Sequence, residues 1–117
     1  MIQVYGIKNC DSVKKALKFF KTNNLDYLLN DFKQTPASQK DVARWIEGSD
    51  ISKLFNARST TYRNLKLKEK NLSDNEKISY LSTENLLIKR PVIEYDGKII
   101  VGFNQNEYEG IFLWVKY

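Results

Sequence analysis

Cys10 is the only cysteine in a chain of 117 residues, and the chain contains no histidine. Together these two counts confine the chemistry. An internal disulfide is impossible, so any disulfide must join Cys10 to a second molecule. Without imidazole there is no Cys-His or Ser-His-Asp catalysis, and no Cys and His cluster with zinc-site spacing, so no metal is expected. A nucleophile here must be activated by helix dipoles and basic side chains. A lone cysteine is most often a small buried hydrophobe. Cys10 instead lies between Asn9 and Asp11, in a polar loop ahead of a helical pattern, where a reactive thiol fits better than a core side chain.

The elements around Cys10 follow from the pattern. Ile2 to Ile7 reads as a strand broken at Gly6. Asp11 and Ser12 are both good N-cap residues, and Val13, Ala16, Leu17 and Phe20 then recur with helical period. Lys14, Lys15, Lys18 and Lys21 fall on the opposite face, and Thr22-Asn23-Asn24 ends the helix. A thiol at this helix start faces unpaired backbone N–H groups and the positive end of the dipole, which favours the thiolate. Lys8 would strengthen that effect and Asp11 oppose it. Leu25 to Phe32 carries a second strand, and strand, helix and strand in so short a span predict a parallel βαβ unit.

From Thr35-Pro36 the signals become helical. Ser38 with Asp41 resembles a capping arrangement before Val42, Trp45 and Ile46. Short helices follow from Ser49-Asp50 and from Ser73-Asp74, and a last turn from Thr83-Glu84. Val92 to Tyr95 and Ile99 to Phe103 are β-rich runs joined by Asp96-Gly97, a strong hairpin signal. Asn104 to Asn106 can cap a closing helix bearing Tyr108, Ile111, Phe112 and Val115. The order β-α-β, then helices, then β-β-α predicts an α/β thioredoxin-like fold with a mixed four-stranded sheet. One domain over 1–117 is expected, with a helical insertion at about 37–88.

The formal net charge is +5, with lysines and acidic residues interspersed. That balance suits anionic ligands or acidic partners, but no recognition-helix or stacking motif points to direct nucleic-acid binding. No run approaches the roughly 18 apolar residues of a membrane span, and residues 1–5 lack the features of a signal peptide. A cytoplasmic location is expected.

Tyr5-Gly6-Ile7-Lys8-Asn9-Cys10-Asp11 with Lys14-Lys15-Ala16 resembles the opening of the arsenate reductase/Spx/YffB family. Asn56-Ala57-Arg58-Ser59-Thr60-Thr61-Tyr62-Arg63 resembles that family's arginine-bearing segment. Lys89-Arg90-Pro91-Val92-Ile93 followed by Val101-Gly102-Phe103 resembles its Arg-Pro hairpin. The three segments occur in family order over nearly the whole chain. From the residues alone Pro91 reads as an ordinary trans proline opening an edge strand; the resemblance implies the cis form beside Cys10. It also implies that Cys10 is catalytic and that Arg58 and Arg90 bind an oxyanion or a glutathione carboxylate bidentately. Lys8, Lys14 and Arg63 are weaker candidates.

The chain departs from the family pattern in places. Arsenate reductases of this group carry a third anion-binding arginine in the hairpin, where this chain has Gly102, and Ala57 occupies a place that is often basic. Spx regulators often have Cys-x-x-Cys, whereas Val13 stands three residues after Cys10. The opening is nearest the YffB-like branch, which implies a glutathione-dependent thiol reductase with glutathione as co-substrate. The alternative is an Spx-like regulator that docks on the RNA polymerase α subunit. True arsenate reduction has the least support.

Overall fold

Ile2, Val4 and Gly6 alternate with Gln3 and Tyr5 between the two faces of a pleated strand, and this period builds β1 (Ile2–Gly6). The computed structural model describes residues 1–113. β1 leads into α1 (Asp11–Thr22) and then β2 (Tyr27–Asp31), which lies parallel to β1 with Val4 opposite Leu29. α1 buries Val13, Ala16, Phe19 and Phe20 along one stripe, while Lys14, Lys15, Lys18 and Lys21 remain exposed.

Then come α2 (Gln39–Gly48), α3 (Ile51–Leu54), α4 (Thr60–Asn64) and α5 (Asp74–Thr83). Capping boxes start two of them, Ser38 with Asp41 and Ser73 with Glu76. α4 was not foreseen from the sequence. Its cap is Ser59, which accepts from the Tyr62 N–H, but five residues are too few to display a helical period.

β3 (Val92–Tyr95), β4 (Lys98–Val101) and α6 (Gln105–Phe112) complete the described fold. At the hairpin turn Asp96 and Gly97 both take positive φ, 50° and 74°, as a two-residue loop between right-twisted strands requires. β4 ends before the expected Phe103, because Gly102 turns the chain at φ 82° and donates its N–H to the Pro91 carbonyl at 2.7 Å. Val115, expected on the closing helix, lies outside the described residues.

The sheet order is β2-β1-β3-β4, with β3 antiparallel to both neighbours. This is the α/β thioredoxin-like arrangement. Successive side chains alternate between its two faces. On one, Ile2, Val4, Ile93 and Ile100 pack with Phe19, Phe20 and Tyr108 from α1 and α6. On the other, Tyr5, Val92 and Val101 meet Val42, Trp45, Leu54 and Leu81 from the helices inserted between β2 and β3. Those helices supply one whole covering layer of the sheet. Among the described residues, no helix is long and apolar enough to cross a membrane.

Glu94 pins the inserted layer to the sheet. Its carboxylate accepts from Trp45 Nε1 and Arg44 Nε, each at 2.7 Å, and from the Tyr5 hydroxyl at 3.2 Å. Burial, and after it the Glu94 charge, raise the Tyr5 phenol above its ordinary pKa. Trp45 is fully buried, so losing the acceptor strands its indole N–H. Glu94→Ala is expected to lower stability by about 1–3 kcal/mol in urea denaturation, with Glu94→Gln retaining most of the difference because an amide oxygen still accepts.

Candidate active site around Cys10

β1 aims the chain at the site, and its last residue sets the spacing there. The Phe32 N–H donates to the Gly6 carbonyl at 2.8 Å. One Asp31 oxygen accepts from the Lys8 N–H at 3.4 Å and the other from the Lys33 N–H at 2.9 Å. Asp31 is the one buried charged residue among those described, and it ties the loop that delivers the thiol to the end of β2.

Cys10 is itself the N-cap of α1, at φ −128° and ψ 125°. The sequence placed the cap at Asp11 or Ser12. The helix starts earlier because the Cys10 backbone is still extended while its carbonyl already accepts from the Lys14 N–H at 2.9 Å. The side chain makes no capping hydrogen bond, so its own helix does not engage the sulfur. Cys10 is half-buried and packs against the cluster formed with the inserted helices.

Opposite α1 stands the segment leading into β3. A Cβ placed on Gly6 would come 2.7 Å from Val13 Cγ2, 3.8 Å from Arg90 Cβ and 3.9 Å from Pro91 Cα. The first turn of α1 and the Arg90–Pro91 pair therefore meet over a position that has no room for a side chain. The Arg90–Pro91 bond is cis, and Pro91 is buried. Arg90 is half-buried, and its Nε and Nη1 are buried without a hydrogen-bond partner among the described residues. Each such donor costs about 1–3 kcal/mol when left without an acceptor.

The remaining predicted residues divide. Lys8 and Lys14 are exposed, Lys8 in the loop before Cys10 and Lys14 on the first turn of α1. Arg58 and Arg63 are also exposed and share a groove of about 530 Å³ with Tyr62, Lys66, Lys68 and Glu69. The walls of that groove include neither Cys10 nor Arg90. Its segment is nevertheless tied to the proline: Phe55 bridges Ile88, the Asn56 N–H donates to the Leu87 carbonyl at 2.8 Å, and the Lys89 N–H donates to the Leu54 carbonyl at 2.7 Å. Among the described residues no group of three or more His, Cys, Asp or Glu could hold a metal ion.

The ArsC family model matches residues 5–111, a span that runs from the β1 tyrosine through Cys10, Arg58 and Arg90–Pro91 into α6. The chain belongs to the ArsC family. An uncharacterized protein of Haemophilus influenzae is 42% identical over 113 residues, covering 96% of this chain and 99% of its own. The global transcriptional regulator Spx 2 of Bacillus anthracis is 26% identical over 110 residues, covering 92% of this chain and 83% of its own. The solved structure of a YffB protein superposes with a TM-score of 0.88 at 29% identity, covering 94% of this chain and 97% of its own.

Gly6 and Asp31 are positioning residues of this ArsC-family site that sequence reasoning missed. In the sequence Gly6 marks a strand break and stands within the family-like opening, and a glycine so soon before the thiol is the available signal. Asp31 gave none, since its Lys8 partner is 23 positions away. Gly6→Ala forces a methyl group toward Val13, and the overpacking is expected to cost about 1–3 kcal/mol in chemical denaturation. The same variant should alter the rate at which iodoacetamide alkylates Cys10, because the first turn of α1 must shift.

Proposed function

We propose that the chain is a glutathione-dependent thiol reductase with Cys10 as its nucleophile. The observation that carries this reading is the meeting over Gly6 of the first turn of α1, which Cys10 opens with an uncapped thiol, and the Arg90–Pro91 pair, whose guanidinium has two buried donors without a partner among the described residues.

In the proposed cycle the Cys10 thiolate attacks the glutathione sulfur of a mixed disulfide. The substrate's S–S bond breaks as a Cys10–glutathione bond forms, and the departing substrate thiolate takes a proton. A second glutathione thiolate then attacks that adduct, releasing glutathione disulfide and returning Cys10 as thiolate. The net change is one mixed disulfide and one glutathione converted to one substrate thiol and one glutathione disulfide. A resolving cysteine within the chain is excluded by the count. Arg90 binds a glutathione carboxylate in this scheme, and the exposed Arg58 attracts the anionic substrate. The cycle needs a reducing compartment, so we place the protein in the cytoplasm.

A second reading is regulatory, with the chain docking on the RNA polymerase α subunit. The relationship to an Spx regulator supports it. Arsenate reduction has less support, since Gly102 offers no third guanidinium.

Turnover of a glutathione mixed disulfide, coupled to glutathione reductase and NADPH, is expected for the native chain and absent in Cys10→Ser. Arg90→Gln should lower kcat/KM on the order of tenfold. No turnover by the native chain, together with capture of RNA polymerase that is unaffected by Cys10→Ser, would replace the enzymatic reading with the regulatory one.

A further inference from the structure

We propose that the outer edge of β4 receives an extended segment of a partner protein as a fifth strand, one in which acidic and basic side chains alternate. β4 ends the sheet and pairs on one side only, with β3. In an antiparallel ladder alternate residues bond inward and the others turn their N–H and C=O groups outward. The two-residue turn at Asp96 and Gly97 pairs Tyr95 with Lys98, and the Gly102 N–H reaches the Pro91 carbonyl. Lys98, Ile100 and Gly102 therefore face β3. Ile99 and Val101 present their main-chain groups outward, and among the described residues no further hydrogen bond engages them. Edge strands are commonly blunted by lysine, proline or a bulge. Here Lys98 stands at the turn end alone, ahead of the apolar run Ile99-Ile100-Val101.

The edge lies in a groove. A cavity of about 410 Å³ runs along Ile99, Ile100 and Val101, and neither Cys10 nor Arg90 lines it. One wall is the α2–α3 corner, where Gly48 leaves Ile99 room to close against it and Lys53 stands at the rim. The other is α6, with Glu107 and Ile111. Lys53 and Glu107 are both exposed, and among the described residues the ion pairs involve neither. An added strand turns successive side chains to opposite walls. Acidic ones suit the Lys53 side and basic ones the Glu107 side, while main-chain bonds to Ile99 and Val101 supply the affinity. An antiparallel pairing of β4 with a second copy's β4 would bring like walls together, Lys53 toward Lys53 and Glu107 toward Glu107, and like charges repel. The charges thus favour a different chain as the occupant.

The test follows the backbone amides of the full chain by NMR as the end-capped peptide Val-Thr-Glu-Lys-Val-Thr is added. Saturating peptide is expected to slow hydrogen exchange at Ile99 and Val101 about tenfold, with little change at Ile100, which already bonds to β3. Methylating the glutamate amide nitrogen of the peptide should abolish the effect, because that N–H joins the ladder. Lys53→Glu should weaken binding about fivefold, and a peptide with lysine in place of its glutamate should regain it. An unchanged unfolding midpoint in Lys53→Glu separates lost binding from lost fold. Cys10→Ser should bind like the native chain, so this surface stands or falls apart from the thiol chemistry proposed above. Absence of protection at Ile99 and Val101 with peptide overturns the proposal. So does protection already present in the free chain: if it grows with protein concentration, a second copy holds the edge, and if it does not, the chain covers the edge itself.

Discussion

The site depends on a steric constraint at Gly6, where a Cβ would lie within 2.7 Å of Val13 and within 4 Å of Arg90 and Pro91. Interiors are close-packed, and a position with that little space transmits any added volume directly to its neighbours. Here the neighbours are the first turn of the thiol-bearing helix and the segment that carries the guanidinium. One missing side chain therefore sets the distance between the two halves of the chemistry. The hydrogen bond from Phe32 to the Gly6 carbonyl, and the Asp31 carboxylate under Lys8, hold the same corner from the β2 side.

Around that corner the layers are arranged so that each face of the sheet has a separate task. The face under α1 and α6 is nearly all apolar and anchors the thiol helix through Phe19, Phe20 and Tyr108. The face under the inserted helices mixes apolar packing with the Glu94 hydrogen bonds to Tyr5, Arg44 and Trp45. Cys10 packs toward this second face. The Phe55–Ile88 bridge runs along it as well, so the segment bearing Arg58 and the segment bearing Arg90 move as neighbours even though their side chains occupy different surroundings.

What the sequence disclosed and what it concealed divide by range of interaction. The βαβ opening, the Ser38–Asp41 cap and the Asp96-Gly97 turn are written in residues a few positions apart, and their physics is local. The start of α1 was misplaced within one turn because Asp11 and Ser12 have the better capping side chains, while backbone geometry at Cys10 decides the matter. α4 is too short to show a period. Asp31 and Glu94 take their roles from partners far along the chain, and no local pattern marks them. The family resemblance implied the cis form of Pro91, which the structure has, and it gave no indication that the Arg58 side chain lines a groove with Arg63.

The pairing of β1 with β3 has a consequence for the order in which the chain matures. Tyr5 and Glu94 are 89 positions apart, and Val4 pairs with Ile93, so the first strand meets its antiparallel neighbour only after most of the polypeptide exists. Contacts of such long range form late, because the entropy of closing a large loop must be met before they contribute. On the ribosome, β1, α1 and β2 emerge together as a local unit, whereas Arg90 and Pro91 follow near the end of synthesis. Cys10 thus emerges well before Arg90 and Pro91 exist. The corner where the first turn of α1 meets Arg90 and Pro91 is therefore a product of completed folding.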